Sequence, residues 1–296
     1  MGEEMLSAHN NTQDAMDLTH LCNDVSAIRL ILTDIDGTIL PYDRSVVSQE
    51  CRDAFHAAYD AGIHIGPATG RGATRVPSVF EHDEKCYATM LAANGMQVIL
   101  DGQLIYEAHI PHEALIHLAS VIHELPDCGM ICFDGPQALV VEGTIDNLAK
   151  SFRSYAATAR LVSEVPSFPV IKTNIFTPPI QEKTAEIVAL LRREVPEIDY
   201  SLPMPGFVNT TPRGWNKAAA VDYLAQTLGI APEQVVVFGD SGNDLEMLSH
   251  VPHSVAVAGA TDEARAAARW HIGSCEDEAV PQAIKKLAQG LWPFTN

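Results

Sequence analysis

The sequence predicts an α/β protein: a Rossmann-like, doubly wound parallel sheet with an inserted α+β domain. Three observations support this fold class. Near both ends of the chain, short apolar segments alternate with amphipathic stretches, which is typical of parallel βαβ units. Hairpin signals replace this alternation in the middle, and it resumes at Gly214. Acidic or glycine-containing turn sequences directly follow several apolar segments, where an open α/β sheet binds its ligands.

Composition narrows the classes of function. The 296 residues include 38 Asp and Glu but only 19 Lys and Arg, which gives a formal charge of −19. This acidity argues against binding to nucleic acid or an anionic membrane. No apolar stretch approaches the roughly 20 residues of a membrane span, and no signal peptide is recognisable, so we expect a cytoplasmic protein. The six cysteines form no C-x-x-C pair and are expected to be reduced thiols.

The first part of the chain predicts a tail followed by βα units. Residues 1–25 contain acids but no Lys or Arg, and we expect a mobile tail with a short helix near Met16–Cys22. Beyond it, the apolar pattern predicts strands and helices in alternation: strand Ile28–Leu32, helix Val47–Ala61, strand Ile63–Ala68, a further helix, and strand Ala88–Ala92. Gly62 is a natural stop for the first helix.

The middle of the chain predicts a separate α+β unit. Asp101-Gly102 and Asp134-Gly135 mark two hairpins, because both are turn sequences between strand-like segments. Helices are predicted at Pro111–Leu125, Ile145–Thr158 and Ile180–Glu194, and further strands at Val170–Phe176, Ile198–Leu202 and Phe207–Thr210. We therefore predict a cap over residues 110–208, inserted between two core segments, 26–109 and 209–296.

The last part returns to alternation. Gly229 is expected to end a helix that starts at Lys217. The predicted elements are helix Lys217–Leu228, strand Val235–Phe238, helix Leu245–Leu248, strand Val255–Ala258, and helices near Asp262–Ala268 and Val280–Gln289. These elements complete the predicted core.

Two carboxylates follow the first strand. Asp34 and Asp36 are two residues apart, so an extended backbone directs both side chains to the same side. Two carboxylates at such a short distance repel each other, so one must bind a proton or a cation must neutralise both. The first case provides an acid beside a nucleophile, and the second a site for a hard cation such as Mg²⁺.

Three further stretches are expected at the same sheet edge: Thr69-Gly70-Arg71, Lys217, and Gly239-Asp240-Ser241-Gly242-Asn243-Asp244. Lys217 begins the apolar row of its helix, and a lysine on a buried face needs a partner anion. Taken together, the four stretches provide a carboxylate nucleophile, a general acid and base, cation ligands and groups that hold phosphoryl oxygens. The sequence therefore predicts a Mg²⁺-dependent phosphoryl-transfer site.

These four stretches, in this order, resemble the four motifs of the haloacid dehalogenase superfamily. The Thr-Gly-Arg form, the Asn94-Gly95 step and the long insertion before Lys217 resemble Cof-type hydrolases with a C2 cap. The resemblance covers nearly everything from Ile28 onward. Two features depart from it: Gly66-Pro67 replaces aliphatic strand residues, and residues 1–25 have no counterpart.

The resemblance implies a role for each site residue. Asp34 would be the nucleophile, and Asp36 would protonate the leaving group and then activate water. Mg²⁺ would be held by Asp34, Asp240 and the backbone carbonyl of Asp36, with Asp244 behind them or acting through water. Phosphate and substrate would be bound by Thr69, Gly70, Arg71, Lys217 and Asn243.

The expected function is hydrolysis of a small phosphorylated metabolite, a sugar phosphate or a similar phosphomonoester, through an aspartyl-phosphate. The expected protein is a monomer or homodimer that binds neither nucleic acid nor membrane. Two alternatives remain: a phosphomutase or phosphotransferase of the same superfamily, and a non-catalytic metabolite-binding protein with this fold. The second predicts loss of the nucleophile, the acid or the lysine, and Asp34, Asp36 and Lys217 are all present.

Overall fold

The computed structural model of the protein describes residues 28–295, so the tail over residues 1–25 and its expected helix lie outside the described residues. The first part contains β1 (Leu30–Thr33), α1 (Gln49–Asp60), β2 (His64–Pro67), β3 (Met90–Ala92), β4 (Gln97–Leu100) and β5 (Gln103–Glu107). The middle part contains α2 (His112–His123), β6 (Gly129–Asp134), β7 (Gln137–Glu142), α3 (Ile145–Ser151), α4 (Arg153–Ala156), β8 (Arg160–Leu161), β9 (Thr173–Phe176), α5 (Gln181–Glu194), β10 (Ile198–Met204) and β11 (Phe207–Pro212). The last part contains α6 (Lys217–Leu228), β12 (Val235–Gly239), α7 (Leu245–His250), β13 (His253–Ala256), α8 (Asp262–Ala267), β14 (Trp270–His271) and α9 (Ala279–Ala288).

The first sheet is fully parallel, with the strand order β14-β13-β12-β1-β2. All four residues of β1 are buried, because helices cover both faces of the sheet. Ile31 packs in the same apolar cluster as Phe55 of α1, and Leu32 packs in another with Leu224 of α6. This arrangement confirms the predicted doubly wound core, and it brings the ends of β1 and β12 side by side.

The second sheet has six strands in the order β10-β11-β9-β6-β7-β8, antiparallel except for the β7–β8 pair. One face packs against α2 and α5, with Leu118, Val188 and Tyr200 in a shared cluster. Residues of α3 and α4 pack on the opposite face, near Phe207. A separate α+β unit is therefore present as predicted. The boundaries of this unit remain a prediction. The boundary placed between residues 208 and 209 falls inside β11.

Several elements differ from the sequence prediction. The helix expected between β2 and β3 is replaced by three short 3₁₀ turns, Ala73–Arg75, Pro77–Phe80 and Glu84–Cys86. Pro77 has no N–H to continue a helix, and Glu81 and His82 adopt positive φ angles that end helical geometry. The helix expected over residues 145–158 is interrupted at Phe152, whose φ is −149°.

The third predicted strand also differs in its pairing. β3 pairs antiparallel with β4, which in turn pairs antiparallel with β5, and the link of β3 to the parallel sheet is a single bridge between Leu91 and Ala68. Gly66 allows this approach, because a Cβ at that position would collide with the backbone carbonyl of Thr89. The unusual Gly66-Pro67 pair thus lets neighbouring backbone pack closely beneath the Thr69 loop. Among the described residues, no helix has the length and apolarity needed to cross a membrane.

Candidate active site

Three buried carboxylates lie together at the carboxyl ends of β1 and β12. Asp34 follows β1, Asp240 follows β12, and Asp244 directly precedes α7; each is at most 4% exposed. Their carboxylate oxygens lie within 4.8 Å of one another. Burying one carboxylate is already unfavourable, and three together repel, so this group requires cationic partners.

Lys217 supplies the first of these cationic charges. Its Nζ lies 2.8 Å from Oδ1 of Asp34 and 2.7 Å from Oδ1 of Asp244, and its side chain is fully buried. Asn216 fixes the start of α6 because its side chain accepts a hydrogen bond from the backbone N–H of Ala219. Burial alone would lower the pKa of Lys217, but Asp244 and Asp34 outweigh it and raise the pKa, so the lysine is a cation. The partner anions that the sequence required are present.

One lysine does not neutralise the group. Burial raises the pKa of Asp34 to about 8, against the attraction of Lys217 and with the repulsion of Asp244 and Asp240. Burial and Asp244 raise the pKa of Asp240 to about 6. When all three carboxylates are ionised, the single ammonium leaves two negative charges uncompensated, which matches the charge of a divalent cation. The donors are carboxylate oxygens, the ligands that Mg²⁺ prefers, so the residues fit the predicted metal.

Asp240 and Asp244 have different hydrogen-bond partners. Both oxygens of Asp244 are engaged within the protein: Oδ1 accepts from Lys217, and Oδ2 accepts from the backbone N–H groups of Asp240 and Ser241 at 3.1 Å. Among the described residues, the carboxylate of Asp240 accepts only from the hydroxyls of Thr38 (3.0 Å) and Tyr42 (3.2 Å). This difference favours Asp240 as a direct ligand and Asp244 as the residue that holds Lys217 and the loop in position.

Sequence reasoning missed Tyr42 as a site residue. Its hydroxyl donates to Oδ2 of Asp240, and burial, with that carboxylate, raises the pKa of Tyr42. Gly37 makes the contact possible, because a Cβ there would lie 2.5 Å from the same oxygen and 2.7 Å from the Tyr42 hydroxyl. Thr38 could have been found from its place beside the two carboxylates, whereas Tyr42 lies in an exposed turn and carries no sequence signal.

Asp36 is paired with Arg71. Nε of Arg71 lies 2.9 Å from Oδ2 of Asp36, and Nη2 lies 2.6 Å from Oδ1, so the pair is bidentate. The hydrogen bond to Asp36 raises the pKa of Arg71. Arg71, predicted to bind phosphate, therefore engages the predicted general acid in this structure.

The loop after β2 and the loop after β12 meet at Asn94. The Thr69 hydroxyl is buried and accepts from the backbone N–H of Arg71 at 3.1 Å. A Cβ on Gly70 would lie 3.0 Å from Oδ1 of Asn94. Nδ2 of Asn243 donates to that Oδ1 at 3.3 Å. The structure thus brings all the predicted site residues to neighbouring loops and the first turn of α6 at one edge of the sheet.

A cavity of about 290 Å³ lies between this edge and the second sheet. Every side chain that lines it carries a polar group. The core contributes Asn94, Asn216, Lys217, Asn243 and Glu246, and the middle part of the chain contributes Arg192, Asp199, Tyr200, Ser201 and Thr211. Sequence reasoning named only Lys217 and Asn243 of these, because polar positions on antiparallel strands also occur wherever a sheet faces solvent.

Comparison with known proteins gives a consistent picture. The family model for haloacid dehalogenase-like hydrolase matches residues 31–284. YxeH of Bacillus subtilis is 30% identical over 271 residues, covering 88% of this chain and 98% of YxeH. The 5-amino-6-(5-phospho-D-ribitylamino)uracil phosphatase YbjI of Escherichia coli is 24% identical over 90% of this chain and 99% of its own length. The structure of SMU.1108c from Streptococcus mutans superposes with a TM-score of 0.76 at 21% identity, covering 88% of this chain and 98% of that one.

Proposed function

This chain belongs to the haloacid dehalogenase-like hydrolases and is a phosphatase, and we propose that it hydrolyses a small phosphorylated metabolite with Mg²⁺ as its metal. The observation that carries the proposal is the buried group of Asp34, Asp240, Asp244 and Lys217, in which a divalent cation would balance the charge. Such a group is costly to fold, and phosphoryl transfer is a chemistry that uses all its parts.

The proposed reaction has two steps. A carboxylate oxygen of Asp34 attacks phosphorus and forms an aspartyl-phosphate, while the ester oxygen leaves with a proton from Asp36. Asp36 then takes a proton from water, the water oxygen attacks phosphorus, and Asp34 is released together with inorganic phosphate. When bound by Asp34, Asp240 and the backbone carbonyl of Asp36, Mg²⁺ would supply charge neutralisation for the phosphoryl oxygens.

Arg71 and Lys217 have separate parts in this proposal. Lys217 is held by Asp244 and stays charged beside Asp34, so it can stabilise a negative phosphoryl oxygen without moving far. Arg71 must exchange partners, because a carboxylate held by two guanidinium hydrogen bonds is a poor proton donor. We propose that the phosphoryl group draws Arg71 away from Asp36, which frees Asp36 to carry the proton. Thr69, Gly70 and Asn243 complete the phosphate and substrate contacts.

The substrate is proposed to be a small, polar phosphomonoester such as a sugar phosphate. The cavity lining supports this class, because hydroxyl, amide and carboxylate groups are suited to a leaving group rich in hydroxyls. Residues 110–208 would act as the cap that covers this leaving group, and residues 26–109 and 209–296 as the catalytic core. We further propose a cytoplasmic monomer or homodimer without nucleic-acid or membrane partners, in keeping with the formal charge of −19.

A phosphate-release screen over a panel of phosphometabolites tests this function. We expect free phosphate from at least one polar phosphomonoester with Mg²⁺ present, and none after exhaustive chelation. Ca²⁺ should bind but inhibit, because it accepts more ligands at longer distances and would misdirect Asp34. Full activity after chelation would contradict the metal assignment. Turnover without free phosphate would favour a phosphomutase or transferase, and binding without turnover a metabolite-binding protein.

A further inference from the structure

A second group of metal-ligand side chains lies in the core between α1 and the 3₁₀ turns that follow the Thr69 loop. His56 is on α1, and Asp83 and Cys86 are in the segment before β3. Nε2 of His56 lies 2.7 Å from Oδ2 of Asp83. One ligand atom from each of the three residues, a ring nitrogen, a carboxylate oxygen and the Cys86 sulfur, lies within 4.8 Å of the other two.

The donor types differ from those of the active site. The buried aspartates provide only oxygen, whereas this group provides nitrogen, oxygen and sulfur, a set typical of Zn²⁺. Tetrahedral Zn²⁺ with bonds of about 2.0–2.3 Å needs ligand atoms roughly 3.3–3.6 Å apart, which modest side-chain rotations would provide. The ligand charges would also match the ion: the aspartate and the thiolate carry one negative charge each, the imidazole is neutral, and the cation is divalent.

Burial gives the group a closed side and an open side. Cys86 is fully buried, while the side chains of His56 and Asp83 are 37% and 29% exposed. An ion could therefore enter from solvent, bind sulfur on its inner side and keep a water as fourth ligand on its outer side. Burial and Asp83 raise the pKa of Cys86 to about 12, so the metal-free residue is a thiol.

We propose that His56, Asp83 and Cys86 form a second metal site, selective for a thiophilic divalent ion such as Zn²⁺ and separate from the phosphate site. Binding releases one proton from the Cys86 thiol to solvent. The imidazole proton of His56, when it is on Nε2 facing Asp83, moves to Nδ1, so that Nε2 can bind the ion. The bound ion connects α1 to the segment between β2 and β3. The sequence predicted a helix in that segment, and the structure has only short 3₁₀ turns there. Its expected role is to stabilise the segment leading from Arg71 to β3.

Cobalt titration of the chelator-stripped full-length protein tests the site, with saturating Mg²⁺ present. Co²⁺ bound to a thiolate gives a sulfur-to-metal charge-transfer absorption that oxygen ligands do not give, so the active site is silent in this measurement. We expect about one equivalent of Co²⁺ to produce this absorption, and Zn²⁺ to abolish it by displacement. The measurement is independent of turnover, and the Asp34→Asn protein should give the same titration; failure of the proposed function would therefore not affect the result.

Three variants assign the absorption to this group. Cys86→Ser should abolish it, and His56→Gln should weaken Co²⁺ binding by at least about 100-fold, since loss of a ligand exceeds the 10–100-fold effect of an outer partner. Cys128→Ser is the matched control, because it removes another buried thiol in the middle part of the chain and should leave the absorption unchanged.

Two results of the cobalt titration would overturn the proposal: no charge-transfer absorption in the unmodified protein, or an absorption that survives in folded Cys86→Ser. His56 is partly exposed on α1, so His56→Gln remains informative if Cys86→Ser does not fold. For His56→Gln, thermal unfolding provides the second measurement. Zn²⁺ should raise the Tm of the unmodified protein in the presence of Mg²⁺ and leave the Tm of His56→Gln unchanged; an equal rise in both would also reject the site.

Discussion

The parallel sheet and the six-stranded second sheet differ in how they hold polar side chains. The edge of the parallel sheet buries the ionisable side chains of Asp34, Asp244 and Lys217. The exposed fraction of each residue lies between 0% and 4%. On the second sheet, Ser201 and Thr211 are half-buried hydroxyls beside a cavity, and Asp199 keeps an exposed carboxylate whose Oδ2 accepts from the backbone N–H of Gly214. Buried charges are costly, and hydroxyls at a cavity wall are not.

This difference indicates which positions of each sheet tolerate substitution. Removing the Lys217 cation from the parallel sheet would leave Asp34 and Asp244 buried without a partner, so Lys217 cannot be replaced without a large loss of stability. Exchanging a hydroxyl beside the cavity leaves no buried charge, so the second sheet can vary with little effect on folding. This contrast supports the proposal that chemistry belongs to the core and substrate choice to the cap. The predictions below test it, beginning with the largest expected effect.

Replacing Asp34 should give the largest loss. Asp34→Asn keeps the shape of the side chain but removes the nucleophile, so phosphate release should fall on the order of 10⁴–10⁶-fold, as when other covalent catalysts lose their central residue. The variant should be at least as stable as the unmodified protein, because it removes one of three mutually repelling carboxylates. Steady-state phosphate release and thermal unfolding measure the two effects.

Asp199→Asn is the matched control from the second sheet. It makes the same chemical change beside the cavity and retains an acceptor for Gly214. It should therefore change the ranking of substrates while leaving turnover of a simple aryl phosphate near normal. Equal losses in Asp34→Asn and Asp199→Asn would remove the proposed distinction between the sheets.

Replacing Lys217 should lower the stability of the protein as well as its activity. Lys217→Met leaves Asp34 and Asp244 buried without their cation, which should cost about 3–5 kcal/mol in the free energy of unfolding. Lys172→Met is the control, since Lys172 lies over the rings of Phe133 and Tyr155 without a buried carboxylate and should cost only about 1–2 kcal/mol. Urea unfolding in chelator measures both, and similar losses would contradict the argument.

Asp36 should show an effect that depends on the leaving group. Asp36→Asn removes the proposed proton donor and should slow hydrolysis of alkyl phosphates by about 10²–10⁴-fold. The first step for an aryl phosphate with an acidic phenol should be much less affected, because that leaving group departs without a proton. Burst-phase kinetics separate the two steps, and equal slowing of the first step for both substrates would refute the acid assignment.

The grouping of the predicted core residues at one sheet edge follows from the sequence for a physical reason. Asp34 and Asp240 follow continuous apolar strands, and parallel strands place their carboxyl ends at one edge, so sequence position nearly determines spatial position. Lys217 was recognisable because it begins an otherwise apolar helix face. The Asp36–Arg71 pair was not predicted, because it depends on the path of a loop. Nor was Tyr42, whose contact with Asp240 requires the turn at Gly37.

The second sheet was predicted in outline but not in its contacts. Its β6–β7 hairpin follows from Asp134-Gly135, where the turn residues specify the connection. Its cavity residues depend on register: Asp199 faces Thr211, and Ser201 faces Asn209. Shifting a strand by one residue would turn Ser201 away from the cavity, and the sequence does not specify that register. The residues that line the cavity are therefore harder to predict from the sequence than those at the carboxyl ends of the parallel strands.

The smallest expected effect provides the finest test of the comparison. Neither the Ser201 nor the Thr211 hydroxyl has a hydrogen-bond partner within the part of the chain that the structure describes, although both residues line the cavity. If they bind a leaving-group hydroxyl, Ser201→Ala and Thr211→Val should each lose about 1 kcal/mol, or roughly fivefold in kcat/KM, on the preferred polar substrate. Stability and hydrolysis of an aryl phosphate without hydroxyls should be unchanged, because no buried partner loses a bond. A uniform loss on both substrates would mean that these residues support the catalytic loops, and the division between chemistry at the parallel sheet and recognition at the second sheet would then not hold.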